Sequence, residues 1–190
     1  MQRIAKRIFD VALAVAATIL LFLPLLLVGI AVALTSKGSI LYWSDRVGIH
    51  SHTFQMPKFR SMQMNAPVLA THLLPDPKIH LTVIGEFLRK SSLDELPQLW
   101  SILKGDMSFV GPRPALFNQY DLIALRAVVG VDQLIPGLTG WAQANGRDEL
   151  SIEDKVALDI YYLKNKSFGL DLKILWLTLI KVVRREGVSH

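Results

Sequence analysis

The stretch VALAVAATILLFLPLLLVGIAVAL, residues 11–34, decides how the rest of the chain must fold. It carries no charge over 24 positions. At about 1.5 Å per residue, a straight helix of that length reaches roughly 36 Å, enough for a hydrocarbon core of about 30 Å. Pro24 lies near its middle. A mid-helix proline removes a backbone bond and clashes with the preceding turn, so a kink or break is expected at Pro24. Arg3, Lys6 and Arg7 precede the stretch, and Lys37, Arg46, Lys58 and Arg60 follow it against Asp45 alone. With both flanks basic, the positive-inside rule selects no orientation. A re-entrant hairpin that enters and leaves on the cytoplasmic face satisfies both flanks and is the expected arrangement. The alternatives are one kinked span and a signal peptide. Ala31-Val32-Ala33 imitates a cleavage site, but the apolar run is too long for a signal peptide's core.

The remaining composition fits this reading. The chain has 190 residues, 51% hydrophobic and 19% charged, with a mean hydropathy of +0.35. That suits one domain with an apolar appendage and excludes disorder for most of its length. There is no Cys, which excludes a disulfide scaffold, a thiolate zinc site and a Cys nucleophile. The net charge of +5 suits an anionic surface or a phosphate-bearing ligand. No polybasic run or aromatic-interleaved basic patch supports nucleic-acid binding.

Beyond residue 36, residues 40–43 and 53–56 read as two short strands around a turn at 48–52. Residues 65–78 hold Pro67, Pro75 and Pro77 and read as a loop. Residues 85–100 and 115–129 read as helical, 105–114 as a strand or loop ending in a rigid turn, and Pro136-Gly137 as a turn. Residues 151–164 read as a helix capped by Ser151. Residues 170–183 are apolar with Trp176 and basic at the end, which suits either a membrane interface or a core helix.

The densest chemical signal is RKSSLDELPQLWSILKGDMSFVGPRP, residues 89–114. Asp94 and Glu95 are adjacent, so on a helix they point about 100° apart and do not form a facing acid and base. They can serve as nucleophile and metal ligand, or share one hard cation. They can also be ordinary helix caps. With Asp94 as the cap, Pro97 falls harmlessly in the first turn. With Ser92 as the cap, Glu95 completes a capping box and Pro97 sits one place too deep. Either way Asp94 lies at a helix N-terminus, where the dipole favours an ionised carboxylate. Pro112 and Pro114 restrict the backbone on both sides of Arg113, presetting its guanidinium for phosphate or a planar base, or simply making a rigid surface turn. Lys58, Arg60, Arg89 and Arg147 are further candidate phosphate ligands. His50 and His52 have no third partner nearby, so zinc is not expected.

KFRSM (58–62), SLDELPQLW (92–100), LKGDMSFVGPRP (103–114) and PGLTGWAQANGR (136–147) follow one another in order, after KRIFD (6–10) and the apolar hairpin. Together they resemble the bacterial sugar transferase family, the monotopic phosphoglycosyl transferases, in its minimal catalytic-domain form. The resemblance covers nearly the whole chain. It implies transfer of a phosphosugar from a UDP-sugar to a polyprenol phosphate such as undecaprenyl phosphate, with release of UMP. It further implies Asp94 as nucleophile through a covalent phosphosugar-enzyme intermediate, and a need for Mg²⁺, with Mn²⁺ as a substitute. Glu95 would hold the metal with Asp94 or handle the acceptor's proton. Asp159, in the stretch LDIYY, resembles another functional family acid, although a helix-surface charge between Lys155 and Lys164 explains it as well. Two positions depart from the family pattern. Leu23 replaces the Ser of the hairpin's Ser-Pro, and Ile135 replaces a basic residue before Pro136.

The expectation is therefore an α+β fold, mostly α. Residues 1–36 form a re-entrant membrane hairpin. Residues 37–190 form a cytoplasmic, membrane-associated catalytic unit with a short β-hairpin and interfacial amphipathic helices. The implied place is the cytoplasmic face of the bacterial inner membrane, at the first membrane step of glycoconjugate assembly, with the bilayer as partner and a homodimer left open. The rival is a catalytically inactive, membrane-anchored scaffold for glycan-assembly enzymes. Such a scaffold would be expected to lack the acid pair, Arg113 or Lys58.

Overall fold

The computed structural model describes residues 2–69, 76–146 and 150–184. The expected ligand Arg147 lies outside them.

Helix α1 (Gln2–Leu20) and helix α2 (Phe22–Thr35) are bent by 64° at a one-residue break. The break falls at Leu21 rather than at Pro24. The proline ring would clash with the carbonyl four residues earlier, which is that of Leu20. The first helix therefore ends there, and Pro24 falls in the first turn of α2, where an absent N–H leaves no bond unmade. On α2, Leu25, Val28 and Val32 face inward and pack with Phe59 and Leu88. Leu23, Leu26, Leu27, Ile30 and Leu34 stay exposed. A contiguous apolar surface of this kind asks for lipid or a partner. No single helix among the described residues is long and apolar enough to cross a membrane, though the bent pair together is.

The start of α1 is bound to the rest of the chain through KRIFD. Lys6 Nζ donates to Asp171 at 2.6 Å, and the Arg7 guanidinium donates to the carbonyls of Ile102 and Leu103. Asp10 is buried and accepts from the Phe109 N–H at 3.2 Å. Two of the three basic residues before the apolar stretch are thus engaged by the protein itself.

Strands β1 (Leu41–Val47) and β2 (Thr53–Phe59) form the expected hairpin, each longer than the sequence indicated. After β2, helix α3 (Gly85–Lys90) is followed by a 3-10 turn (Leu93–Gln98) and helix α4 (Leu99–Lys104). The helical reading of residues 85–100 is interrupted at Ser92, whose φ is 56°. Strand β3 (Ser108–Val110) follows, then β4 (Ala115–Leu116), which adds to β1 in the order β2-β1-β4. The helix expected from residue 115 begins only at α5 (Tyr120–Val128), because Ala115 and Leu116 are used in the sheet.

Pro136-Gly137 is not a turn. Gly137 opens β5 (Gly137–Thr139), which pairs in parallel with β3. The approach needs glycine on both sides: a Cβ on Gly137 would lie 2.1 Å from the Gly111 nitrogen, and one on Gly111 would lie 2.3 Å from the Ile135 carbonyl oxygen. Helix α6 (Trp141–Asn145) leads on to α7 (Ile152–Asn165), where Ser151 Oγ accepts from the Asp154 N–H at 3.0 Å as its cap. Helix α8 (Phe168–Arg184) has one buried and one exposed apolar face. Ile174 is fully buried in the core, while Phe168, Leu172, Trp176 and Leu179 form an exposed apolar stripe at helical spacing.

Candidate active site

Three chain segments meet at Glu95. Lys58 arrives on β2, the 3-10 turn carries Asp94 and Glu95, and the loop after β3 carries Arg113. Glu95 Oε1 accepts from Lys58 Nζ at 2.7 Å and from Arg113 Nη2 at 2.8 Å. Glu95 therefore does not fold back to complete a capping box, and the Ser92 side chain makes no capping bond. Ser92 does precede the turn, which is 3-10 rather than α-helical and holds Pro97 inside.

The loop around Arg113 is fixed by more than its prolines. Three successive carbonyls are each held: Pro112 accepts from the Gly137 N–H at 2.9 Å, Arg113 from Arg126 Nη1 at 2.8 Å, and Pro114 from Arg46 Nη1 at 3.2 Å. The guanidinium thus starts from a rigid frame and remains partly exposed, open to a ligand. Asp159 is not a helix-surface charge. It is 1% exposed and accepts from Arg126 Nε at 2.9 Å and Nη2 at 2.6 Å. Asp159 thus lies one step from Arg113, paired with the arginine that donates to the Arg113 carbonyl.

Burial and charge push the two carboxylates apart. Burial raises the Asp94 carboxyl to about 6; Glu95 adds to the rise, and Lys58, Arg89 and Arg113 oppose it. Burial also works against ionisation of Glu95, but Arg113 and Lys58 outweigh it and hold that carboxyl well below its ordinary value. Burial lowers Lys58, with Glu95 opposing, and lowers Arg46 to about 10 with help from Arg113. Burial raises Asp159, and Arg126 offsets part of that. The two adjacent carboxylates thus sit in different environments, Glu95 held ionised by Arg113 and Lys58 and Asp94 raised by its burial.

The other expected residues divide. Arg89 contributes charge close to Asp94 and also faces the Met62 sulfur at 3.7 Å. Arg60 is directed away, donating to the Ser39 carbonyl at 2.8 Å and to Ser39 Oγ at 2.9 Å. Arg46 and Arg126 were missed. The alternation of the strands places Arg46 on the face shared by Tyr42, Ser44 and Lys58, a signal available had β1 been carried past residue 43. No sequence feature distinguishes Arg126 from any other basic residue late in a helix.

A divalent cation can be judged against this donor set. Among the described residues no three Asp, Glu, His or Cys side chains cluster. Asp94 and Glu95 offer hard oxygen donors, with one Glu95 oxygen already engaged. Such a pair makes no closed cage. It does fit Mg²⁺, which takes one or two carboxylates and fills its shell with phosphate oxygens and water.

The chain matches the family described as bacterial sugar transferase over residues 1–185. An uncharacterized sugar transferase, EpsL of Bacillus subtilis, is 42% identical over 98% of this chain and 91% of that protein. The UDP-galactose-lipid carrier transferase of Erwinia amylovora is 38% identical, and the undecaprenyl-phosphate galactose phosphotransferase of Salmonella typhimurium 36%. Each of these two matches covers 98% of this chain but 42% of the longer relative. The ordered motifs pointed to the same group, and by both measures the chain belongs to the bacterial sugar transferase family.

Proposed function

We propose that this chain transfers a phosphosugar from a UDP-sugar to a polyprenol phosphate and releases UMP. The names of the relatives supply the donor and acceptor classes. The observation that carries the reading is Glu95 Oε1 gripped by Lys58 and Arg113 beside a buried Asp94. An inactive scaffold has no need of two cations aimed at one carboxylate next to a second, differently tuned one.

In this reading an Asp94 oxygen attacks the phosphorus that bears the sugar. A P–O bond forms, the bond to the UMP phosphate breaks, and UMP leaves with that electron pair. An oxygen of the polyprenol phosphate then attacks the same phosphorus and returns Asp94 as a carboxylate. Arg113 and Lys58 face the diphosphate charge, and Glu95 keeps both cations in place. Mg²⁺, held by Asp94 and Glu95, would neutralise diphosphate charge. The direct test is purified protein in detergent with undecaprenyl phosphate and a panel of UDP-sugars, scored by UMP release. Turnover with at least one donor, lost in excess EDTA and restored by Mg²⁺ or Mn²⁺, is expected. No release with any donor would overturn the enzymatic reading, and full activity in EDTA would remove the metal.

Asp159 and Arg126 act as positioning residues. Asp159→Asn is expected to weaken a buried ion pair and lower stability by about 2–3 kcal/mol. It should also raise the donor KM several-fold more than the acceptor KM, because the Arg113 loop loosens. Equal effects on both KM values in steady-state kinetics would make the pair merely structural.

The bent helix pair is read as re-entrant, on the cytoplasmic face of the inner membrane. The bonds from Lys6 and Arg7 to Asp171 and α4 support this, since they tie the start of α1 to the body that α2 leads into. Single Cys at Gln2 and at Lys37 of this Cys-free chain should both resist an impermeant thiol reagent until cells are opened. Labelling at Gln2 alone in intact cells would establish a span.

A further inference from the structure

Arg46 is a cation that pairs with no carboxylate of the described residues. Its Nε donates to Ser44 Oγ at 3.0 Å and its Nη1 to the Pro114 carbonyl at 3.2 Å. A guanidinium carries five N–H groups, so most of its donors are left for a ligand. Burial works against its charge, and so does Arg113. A cation kept in such a place without an anion of its own is costly unless a ligand supplies one.

The place of that ligand follows from the strand and from the charges. Tyr42, Ser44 and Arg46 share the face of the hairpin that carries Lys58. The bond to Ser44 folds the Arg46 side chain back along β1 toward the Lys58 end. Asp94 feels the charges of Lys58, Glu95, Arg89 and Arg113. Arg46 feels those of Arg113 and Glu95 but not that of Asp94. Lys58 feels both Asp94 and Arg46. The cluster is therefore ordered, with Asp94 at one end, Lys58, Glu95 and Arg113 between, and Arg46 at the other. Arg46, Lys58, Arg89 and Arg113 together outnumber the carboxylates of Asp94 and Glu95 by two charges. A phosphate monoester carries close to two negative charges at neutral pH.

We propose that Arg46 holds a phosphate monoester on the far side of the transferred phosphorus from Asp94. The departing nucleotide's phosphate takes this place first and the polyprenyl phosphate second. This rests on the function proposed above. In phosphoryl transfer the attacking and leaving oxygens lie roughly in line. With Asp94 attacking from one end of the cluster, the bond to the UMP phosphate breaks toward the other end. The electron pair then goes to an oxygen beside Arg46, where a fixed cation stabilises it. The acceptor oxygen must next attack opposite Asp94, so its phosphate enters the place that UMP has left. One cation thus serves both half-reactions.

The test is titration calorimetry of the full chain in nanodiscs with UMP and with uridine. Arg46→Gln is expected to weaken UMP about 30-fold and uridine by less than about two-fold. Should that variant fail to fold, Arg46→Lys keeps the charge but not the fork, and is expected to lose about ten-fold. The loss should persist in an Arg113→Ala background, because each arginine touches the phosphate itself. A loss that vanishes there would reduce Arg46 to an anchor of the Arg113 loop. UMP binding unchanged in the folded variants, or uridine weakened as much as UMP, would also overturn the assignment. For the second use, Arg46→Lys should raise the KM of geranylgeranyl phosphate several-fold. An unchanged acceptor KM would confine Arg46 to the nucleotide and overturn the shared place. Arg46-dependent UMP binding without UMP release from any UDP-sugar would support the phosphate subsite and sink the enzymatic reading. Turnover with UMP binding indifferent to Arg46 would do the reverse.

Discussion

Asp94→Asn is expected to abolish UMP release and any trapped phosphosugar adduct while the protein still folds and inserts. A true nucleophile is worth several orders of magnitude in rate, because its loss removes the covalent route itself. A helix cap is worth only about 1 kcal/mol of stability. The two readings of Asp94 therefore separate by the size and kind of the effect. Burial sharpens the contrast. The folded carboxyl sits at about 6, above its ordinary 3.8. A group raised in this way favours the fold fully below about pH 3.8, and that contribution is lost as pH rises through 6. Above that pH the ionised, buried Asp94 is a burden that an amide lacks. Asp94→Asn at pH 8 should be as stable as the parent, or more stable by roughly 2 kcal/mol, with activity gone. The measurements are Tm by calorimetry and UMP release on the same preparation. Substantial turnover in the variant would end the covalent mechanism. A large fall in Tm with partial activity would return Asp94 to a structural role.

The acid pair was visible in the sequence because Asp94, Glu95 and Pro97 constrain one another. A proline five places after an α-helical cap at Ser92 is unwelcome, and that conflict marked the segment. What the sequence did not reveal was its resolution, a 3-10 turn with Ser92 left-handed, which sends Glu95 outward to Lys58 and Arg113. The proline of the apolar stretch behaved alike. Pro24 was legible as the cause of the break but not as its place, since the clash falls on a carbonyl four residues back.

Non-local pairing was least legible. Strands β3 and β5 are three residues each and meet through glycine backbones rather than through any hydrophobic alternation. Pro136-Gly137 therefore carried the signature of a turn. Arg126 was equally silent. Its importance lies in a carbonyl 13 residues away in the chain and a carboxylate 33 away, and neither leaves a local pattern. Lys6 and Asp10 were read as a flank of the membrane segment and part of a motif, yet they fasten α1 to Asp171 and Phe109.

Glu95→Ala should cost more stability than any other substitution at the site. Its removal leaves Lys58, Arg113 and Arg46 facing one another, with Asp94 as the remaining nearby anion. Taking one partner from a buried pair costs about 3–5 kcal/mol, and the exposure of Arg113 brings the expectation to the lower end. The pH dependence gives the sign. Glu95 is held well below its ordinary 4.5, so its contribution is present above about pH 4.5 and fades as pH falls through its folded value. The deficit of the variant, measured by urea unfolding, should be full at pH 7 and shrink in acid. The change also reaches the neighbouring carboxylate. Without the like charge beside it, and with Lys58 and Arg113 released toward it, Asp94 should ionise at lower pH than about 6. Residual UMP release in Glu95→Ala should then reach half its plateau at lower pH than in the parent, although its plateau is lower. A half-point that stays in place, or moves upward, would mean that Glu95 does not tune Asp94 and that the two carboxylates act independently.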